Sequence, residues 1–264
     1  MEVHPQRLAW IAKRLALVVG VFALVLVIIG AVQYRKKSIV AQDGLIIDVV
    51  NNTANNDFIA AQDVRDILFK NFKHDIVGQP LELIDIEEIE RVLEKSIFIK
   101  NAEIYIDALN KVHITIEQRI PIVRIMDLEE PSYYLDEEGT WVETSSKFTA
   151  RVLVVTGNVG RYNANYKTIP HNRLRKILKL AQFIDKNPFW KAQIEQVNIN
   201  NSGDATLIPK LGDQKIKFGD PEEKIADKFY RLKVFMEEGL PVEGWEKYRT
   251  IDLSFEKQVV AKKR

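Results

Sequence analysis

Hydrophobic residues near the start of the chain form one unbroken run, and the pattern changes abruptly after it. The run covers residues 15–32, LALVVGVFALVLVIIGAV, and holds no charged or amide side chain. A helix of this length extends roughly 27 Å, close to the thickness of the hydrocarbon core of a bilayer. Lys13 and Arg14 precede the run and three basic residues follow it, so charged side chains can reach the headgroups at both ends. The pattern predicts a transmembrane helix.

Two other structures share such a run, and the sequence favours neither. A cleaved signal peptide usually has an apolar region of about 7–15 residues that ends in small residues, whereas this run is longer and continues into Gln33 and Tyr34. A core helix of a soluble domain is disfavoured because no position of the run is polar. We therefore predict an uncleaved anchor at residues 15–34, behind a tail at residues 1–14 that is too short to fold. Basic residues flank the span three against three, so charge leaves the orientation open.

After the anchor, short alternating segments and helical stripes follow one another. Residues 42–50 are rich in β-branched side chains and predict a strand, followed by a polar loop and a helix at residues 58–69. A second helix is capped by Asp85, and residues 102–117 alternate as a β-hairpin. The order strand–helix–helix–strand–strand predicts a small α+β domain at residues 42–122. Its predicted core includes one residue from each of three elements: Val64, Leu93 and Ile114.

The pattern predicts a second domain at residues 123–264, a mostly antiparallel sheet with two helices against it. One helix covers residues 172–184, and Pro221 at the first helical position opens another that runs to residue 238. The apolar run at residues 152–157 predicts a strand that is buried on both faces. The last two strands are predicted at residues 250–255 and 258–262. The fold class predicted for the whole chain is α+β, behind a single transmembrane helix.

Composition excludes several kinds of function. Lysine and arginine number 38 against 37 for aspartate and glutamate, a net charge of +1, so there is no global charge to attract nucleic acid. The absence of cysteine excludes disulfides, cysteine-bound zinc and a cysteine nucleophile. The four histidines are scattered with no pair at metal-ligand spacing, and His113 is expected to be solvated on the outer face of its strand. We predict no metal, no cofactor and no enzymatic site.

Two short segments deserve comparison with enzymatic motifs. Residues 157–160, GNVG, follow a strand and predict a turn rather than a phosphate-binding loop. Ser38, next to the predicted anchor, could serve as the nucleophile of a membrane-anchored Ser/Lys hydrolase. No glycines suited to an oxyanion hole lie nearby, so this alternative is weak, and a serine-reactive probe that fails to label Ser38→Ala would be needed to revive it.

Four short sequence motifs, taken in their order along the chain, resemble those of a known family. They are ITIEQRIPIVRI at the exit of the first domain, YYLDEEG in the next hairpin, VVTGN at the following strand and TIDLSFEKQVVAK at the end. Each motif alone is common, but their order behind an anchor resembles the FtsQ/DivIB family of bacterial cell-division proteins. The resemblance identifies the domain at residues 42–122 as a POTRA domain and residues 123–264 as the family's β domain.

The resemblance implies a location and a role. It implies a single-pass protein of the bacterial inner membrane at the division septum, with a cytoplasmic N-terminus and both domains outside the cytoplasm. It implies a non-enzymatic scaffold that binds small coiled-coil membrane proteins of the FtsB/DivIC and FtsL types, and through them influences the septal peptidoglycan synthase. A POTRA-type accessory of protein transport or outer-membrane assembly is an alternative, and it would predict further POTRA repeats or a barrel.

The family's partner docks at the end of the β domain, partly by adding a strand to the sheet. The matching positions of this chain are Asp252, Leu253, Ser254, Phe255, Glu256, Lys257, Gln258, Val259, Val260 and Ala261. A last strand is often an edge whose backbone groups can accept another strand, so Val260→Pro is expected to remove an edge donor. The alternative is an ordinary strand whose edge is blunted by the basic residues after it. Ser254 replaces an arginine of well-known members, so that residue's ion pair with a partner is not expected here; Phe255 keeps the aromatic position, as a core residue or as a contact.

Overall fold

The computed structural model of the chain describes residues 5–36, 38–51, 58–146 and 148–264. The first four residues of the predicted tail, and residues 52–57 of the predicted polar loop, lie outside the described residues. The chain forms two compact units, each of which collects segments from different parts of the sequence. The first unit comprises Met1–Val50, Ala60–Ser96 and Asn101–Glu117, and the second comprises Asn51–Ile59, Ile97–Lys100 and Gln118–Arg264.

The N-terminal helix, α1, covers Pro5–Lys36 in 32 residues. It begins well before the apolar run, so the described part of the predicted tail is helical and the expectation that it does not fold is wrong. Residues Arg14–Val32 have a mean hydropathy of 3.2, and none of this window is buried. Among the described residues this is the one helix that is long and apolar enough to cross a membrane.

The first unit has the predicted strand–helix–helix–strand–strand order. Its elements are β1 (Leu45–Val50), α2 (Ala61–Phe72), α3 (Ile86–Glu94), β2 (Ile99–Ile106) and β3 (Val112–Gln118), with a 3₁₀ turn at Leu81–Leu83. The sheet order is β1-β3-β2, and β1 runs parallel to β3 from the pair Leu45–Val112 onward. A parallel pair of strands needs a long crossover connection. Here the segment between β1 and β3, which contains both helices and β2, provides it.

Local capping sets where both helices of this unit begin. The Asp85 carboxylate accepts the Glu88 amide at 3.0 Å, as the sequence predicts for the start of α3. The helix α2 begins three residues later than expected, because the Asp63 carboxylate accepts the Ala60 amide at 3.0 Å and closes the first turn there. The predicted core positions are confirmed as buried: Val64, Leu93 and Ile114.

The second unit is built on one nine-stranded sheet. Its strands are β4 (Pro121–Asp127), β5 (Tyr133–Asp136), β6 (Trp141–Glu143), β7 (Leu153–Gly157), β8 (Ile194–Ile199), β9 (Ala205–Pro209), β10 (Lys215–Gly219), β11 (Tyr248–Asp252) and β12 (Val260–Lys263). The strand order is β12-β11-β10-β9-β8-β7-β4-β5-β6. Five neighbouring pairs are antiparallel, and three are parallel: β4–β7, β7–β8 and β10–β11.

Two long helices lie against this sheet, as predicted, and shorter helical segments follow each of them. The long helices are α4 (Arg173–Lys186) and α6 (Ile225–Val234); the shorter segments are α5 (Pro188–Gln193), a π-helix at Phe235–Gly239, α7 (Leu240–Glu243) and a 3₁₀ turn at Trp245–Lys247. Phe229 of α6 is the centre of an aromatic group in the core. Its ring centroid lies 5.0 Å from Phe183, 4.7 Å from Trp190 and 5.2 Å from Phe218.

The start of α6 differs from the sequence prediction. Pro221 is not the first helical residue, since α6 begins at Ile225 after Lys224, which adopts a left-handed conformation with φ 46°. The Asp220 carboxylate accepts the Glu222 amide at 2.9 Å, so a turn held by Asp220 occupies the place of the expected first helical turn.

The helices cover one face of the sheet, which we call the helix face. Over β7 to β12 the described residues place no helix on the opposite face, which we call the open face. The expectation that β7 is buried on both faces is therefore wrong: Val155 on the helix face is buried, whereas Val154 and Thr156 are half-exposed. Thr156 accepts hydrogen bonds from Gln196 at 2.8 Å and Asn198 at 3.0 Å across this polar open face.

Candidate partner-binding edge

Strand β12 lies at one end of the nine-stranded sheet and has a strand neighbour on one side, β11. The pair is antiparallel, with Ile251 opposite Ala261 and Asp252 opposite Val260, and a bulge at Arg249. Strand β11 in turn runs parallel to β10. In the described part of the chain no strand follows β12, so its outer backbone edge can pair with another chain.

The ten residues predicted to bind a partner form one continuous element around this edge. Asp252 ends β11, Leu253 is buried, residues 254–258 form an exposed turn, and Val260 and Ala261 lie in β12. The predicted strand bounds at residues 250–255 and 258–262 are thus wrong: β11 ends at Asp252 and β12 begins at Val260. Phe255, 48% exposed, is not a core residue, and Val260 is 42% exposed.

The backbone of β12 is oriented so that alternate amides face the open edge. The Leu253 amide donates to the Lys217 carbonyl of β10 at 2.8 Å, so the neighbouring Asp252 presents its backbone to β12. At the other end, the Arg264 amide donates to the Lys247 carbonyl at 3.1 Å. Both observations turn the Val260 amide toward β11, and alternation along an extended strand turns the Ala261 amide toward the open edge.

Consequently, the expectation that Val260→Pro removes an edge donor is wrong. The Val260 amide belongs to the ladder between β11 and β12, and a proline there would disrupt the sheet itself. The position at which a proline removes an outward donor is Ala261.

Arg231 of α6 holds the turn between β11 and β12. Its Nη1 donates to the carbonyl oxygens of Phe255 at 2.8 Å and Gln258 at 2.6 Å, and its Nη2 donates to the Leu253 carbonyl at 3.3 Å. The side chain is only 13% exposed, and its Nε pairs with Asp227 at 2.9 Å. A planar guanidinium can serve three carbonyls at once because its five donors have a fixed geometry.

Sequence reasoning missed Arg231. An arginine on a helix next to buried positions is usually read as a charged residue at the edge of the apolar stripe. The sequence does contain one indication: Arg231 lies between Phe229 and Leu232, which are both buried. An arginine at such a position is directed toward the sheet rather than toward water.

Lys228 lies one turn before Arg231 and is buried, which the sequence also did not indicate. Its Nζ donates to the Asp220 carbonyl at 3.1 Å and lies 4.8 Å from the centroid of the Phe218 ring. Burial lowers the pKa of its ammonium group, since the charged form loses hydration. Together Lys228 and Arg231 fix the two loops that meet at the start of the edge.

Ser254, one of the residues predicted to bind a partner, makes its hydrogen bonds within the turn. Its amide donates to the Asp252 carboxylate at 3.0 Å, and its hydroxyl donates to the same oxygen. The other carboxylate oxygen of Asp252 lies 3.8 Å from the Lys217 ammonium. The turn is therefore closed by its own side chains, and Ser254 contributes no charge to the surface.

A second tie from α6 reaches the turn through Lys224 and Glu256, whose side chains form an ion pair. Their hydrogen bond raises the pKa of Lys224 and lowers that of Glu256. Both groups are well exposed, so water screens the pair and its contribution to stability is small. Arg231, rather than this ion pair, holds the turn in place.

A groove lies beside the turn, on the helix face of the edge. Its volume is 480 Å³, and it is lined by Tyr230, Arg231, Val234, Phe235, Glu238, Gly239, Lys257, Gln258 and Val259. The π-helix at Phe235–Gly239 forms one wall, and wide helical turns of this kind are frequent at functional sites. The edge therefore offers backbone donors and acceptors next to a partly apolar groove.

The loop at residues 157–160 and the side chain of His113 both have partners within the chain. At residues 157–160 the Asp127 carboxylate accepts the amides of Val159 and Gly160, each at 2.9 Å, so the chain's own acid occupies the donors that a phosphate would need. His113 is half-buried rather than solvated: it stacks on Tyr105 with ring centroids 4.6 Å apart, and its Nε2 lies 3.0 Å from the Asp107 carboxylate.

A POTRA-like α+β unit, a large β-sheet unit with an open edge strand and one long apolar helix define a class of membrane-anchored POTRA and β-domain proteins. The chain matches the family model described as FtsQ/DivIB, C-terminal related, over residues 120–262, and the model described as POTRA-like domain over residues 45–117. The chain belongs to the FtsQ/DivIB family. None of the curated proteins compared with it matches significantly.

Family membership supports a role as a scaffold of cell division, with partners among the division proteins. The FtsQ/DivIB and POTRA families are generally non-enzymatic. The α+β fold class predicted from the sequence is confirmed, with six helical segments, long and short, among the described residues of the larger unit.

Proposed function

We propose that the chain is a non-enzymatic divisome scaffold that captures an FtsB/DivIC-type coiled-coil protein by adding a strand of it to β12. The observation that carries the proposal is the open edge of β12, whose preceding turn is held by Arg231 through three backbone carbonyls. Fixing this turn before binding reduces the entropy that is lost when a strand docks.

In this proposal the anchor spans the inner membrane with its N-terminus in the cytoplasm. A POTRA domain at residues 42–122 and a β domain at residues 123–264 then lie outside the cytoplasm at the septum. The bound partner, together with an FtsL-type protein, connects the scaffold to the septal peptidoglycan synthase. The family match over residues 120–262 supports this role over that of a transport accessory.

The proposal is tested in the native bacterium with the tagged full-length chain. Capture from solubilised membranes, with proteins identified by mass, should recover FtsB/DivIC-type and FtsL-type proteins. A fluorescent fusion should collect at midcell, and depletion should give filaments without septa. Normal division after depletion, or capture without any FtsB/DivIC-type protein, would refute the proposal.

The location of the binding site is tested with Ala261→Pro, which removes one outward amide from the edge. The matched control is Leu211→Pro, which places the same residue in an exposed loop position after β9, where the described part of the chain shows no hydrogen bond of the Leu211 amide. Ala261→Pro should lose the partner while the control retains it. Equal capture by the two variants would place the partner elsewhere on the chain.

A further inference from the structure

The strand register at the β12 edge places two lysines in one row on the open face. In the parallel pair Lys215 of β10 lies opposite Thr250 of β11, and in the antiparallel pair Thr250 lies opposite Lys262 of β12. Adjacent Ile216 and Ile251 are buried on the helix face, so the row itself points to the open face. We call Lys215, Thr250 and Lys262 the lysine row.

The lysine row has no acidic member, in contrast to the row beside it. In the neighbouring row, Lys217 faces Asp252 with the ammonium 3.8 Å from the carboxylate. Among the described residues neither Lys215 nor Lys262 forms an ion pair, and both side chains are exposed. Strands lie about 4.8 Å apart, so the two lysines are roughly 10 Å from each other and act together on any group at the edge.

A strand added to β12 would continue this row by one position. The residue opposite Lys262 would lie on the open face, at the distance where cross-strand side chains interact. An acidic side chain there would complete the row as Asp252 completes the next one, whereas a lysine or arginine would be repelled.

We infer that the strand captured by β12 carries an aspartate or glutamate on the open face opposite Lys262, and that the lysine row selects it. This inference rests on the proposed function, because it specifies the partner for the same edge. The selecting residues are Lys262 directly and Lys215 at longer range.

Charge also argues against a second copy of this chain as the occupant. Residues 257–264, KQVVAKKR, contain no acid. Pairing β12 with β12 of another copy would bring Lys262 and Lys263 from each copy onto one short ribbon, where like charges oppose one another. Arg264 adds less repulsion, because it forms an ion pair with Asp213. Lysine on a sheet edge is a common barrier to unwanted pairing. Here the barrier is selective by charge, because the lysines that repel a basic strand attract an acidic one.

The test uses full-length chain in detergent and, as the probe, the extracytoplasmic segment of the FtsB/DivIC-type protein from the same bacterium. Lys262→Glu should weaken binding about tenfold, because attraction becomes repulsion at the edge. Lys263→Glu is the matched control, since it makes the same change in net charge one residue away but on the helix face. It should weaken binding less than about threefold, as expected for a long-range effect alone. Exchanging the facing acid of the probe for lysine should restore its binding to Lys262→Glu.

The outcomes separate this inference from the proposed function. If Ala261→Pro abolishes binding while Lys262→Glu and Lys263→Glu weaken it equally, the edge is the binding site but the lysine row does not select the partner. If Ala261→Pro leaves binding unchanged, the proposed site and this inference both fall.

A second measurement does not need the partner. The double variant Lys262→Thr with Lys263→Thr should self-associate in sedimentation at concentrations where the unsubstituted chain does not. A double variant that stays as dispersed as the unsubstituted chain would overturn the role of charge against self-pairing.

Discussion

The guanidinium of Arg231 donates to the carbonyl oxygen of Gln258 at 2.6 Å, joining the middle of α6 to the last residues before β12. With its bonds to Phe255 and Leu253, this contact sets the point at which the chain leaves the turn and becomes a strand again. The start of the candidate edge strand is thus held by a helix residue 29 positions before Val260 in the sequence.

Replacing Arg231 by glutamine should loosen the turn. Two or more carbonyls lose a charged donor, and we expect a loss of about 2 kcal/mol in the free energy of unfolding. Arg231→Lys should recover little of this, because a single ammonium cannot reach the same set of carbonyls. Urea unfolding gives the stability, and hydrogen exchange at residues 255–260 should show faster opening of the turn.

The matched control for Arg231 is Asp227→Asn, which removes the exposed ion-pair partner but leaves the carbonyl contacts. Its unfolding free energy should stay within about 0.5 kcal/mol of the unsubstituted chain. Should Arg231→Lys behave like the unsubstituted chain in both stability and exchange, the guanidinium would not be what holds the turn.

The two prolines at adjacent edge positions should have opposite effects. Val260→Pro removes an amide from the ladder with β11 and should lower the urea midpoint, because the last strand can no longer pair fully. Ala261→Pro removes an outward amide and should leave the midpoint nearly unchanged while partner capture is lost. The reverse result for the two variants would mean that the amide directions along β12 are misassigned.

Phe229 should be the most sensitive position of α6. Its ring contacts three other aromatic side chains in the core, so Phe229→Ala should cost about 3–5 kcal/mol of unfolding free energy. The neighbouring Tyr230 is exposed, and Tyr230→Ala should change stability by less than about 0.5 kcal/mol. Denaturant unfolding of both variants tests the assignment, and similar losses would contradict it.

In the first unit, Leu93 is fully buried on α3. Leu93→Ala should destabilise that unit by about 2–5 kcal/mol through lost burial and a cavity. Phe69 on α2 is exposed, and Phe69→Ala provides a control of similar chemistry. Circular dichroism during urea unfolding would record the difference, and a loss below about 1 kcal/mol for Leu93→Ala would contradict the assignment of Leu93 to the core.

The Asp220 carboxylate should make stability depend on acid pH. Burial by itself would raise its pKa, but the Lys176 ammonium and the Glu222 amide outweigh burial and lower the pKa below the usual 3.8. A lowered pKa in the folded state means that the ionised carboxylate stabilises the fold above pH 3.8, and that this stabilisation is lost as the pH falls through the folded-state pKa.

The corresponding experiment compares Asp220→Asn with the unsubstituted chain by thermal unfolding at several pH values. The unsubstituted chain should be more stable near about pH 7, and the difference should shrink toward zero as Asp220 becomes protonated in strong acid. A difference that stays constant over the whole range would assign the effect of the substitution to shape rather than to charge.

Local signals in the sequence were sufficient for much of the fold. Asp85 acts as a helix cap where the sequence places it, because a capping bond depends on residues three positions apart. The helix predicted from residue 172 begins at Arg173, one residue later, because Asn172 is its cap. The alternation at residues 102–117 likewise predicts the hairpin of β2 and β3. In each case the determining contacts lie within one element or between consecutive elements.

The parts that the sequence did not reveal depend on distant contacts. In the sheet, β11 pairs parallel to β10, and β7 lies between β4 and β8. The local pattern of a strand does not indicate which other strand it pairs with. The bounds of the edge were missed for the same reason: Gln258 looks like a strand residue, yet its carbonyl is taken by Arg231 of α6. The left-handed Lys224 was hidden because Pro221 is a common first helical residue.

The strand order places β12 at one end of the sheet and β6 at the other, eight strand intervals apart. At about 4.8 Å per interval the two edges are roughly 38 Å from each other along the sheet, several times the distance over which physiological salt screens a charge. A charged molecule bound along β12 would therefore have almost no electrostatic effect on a charged molecule at β6.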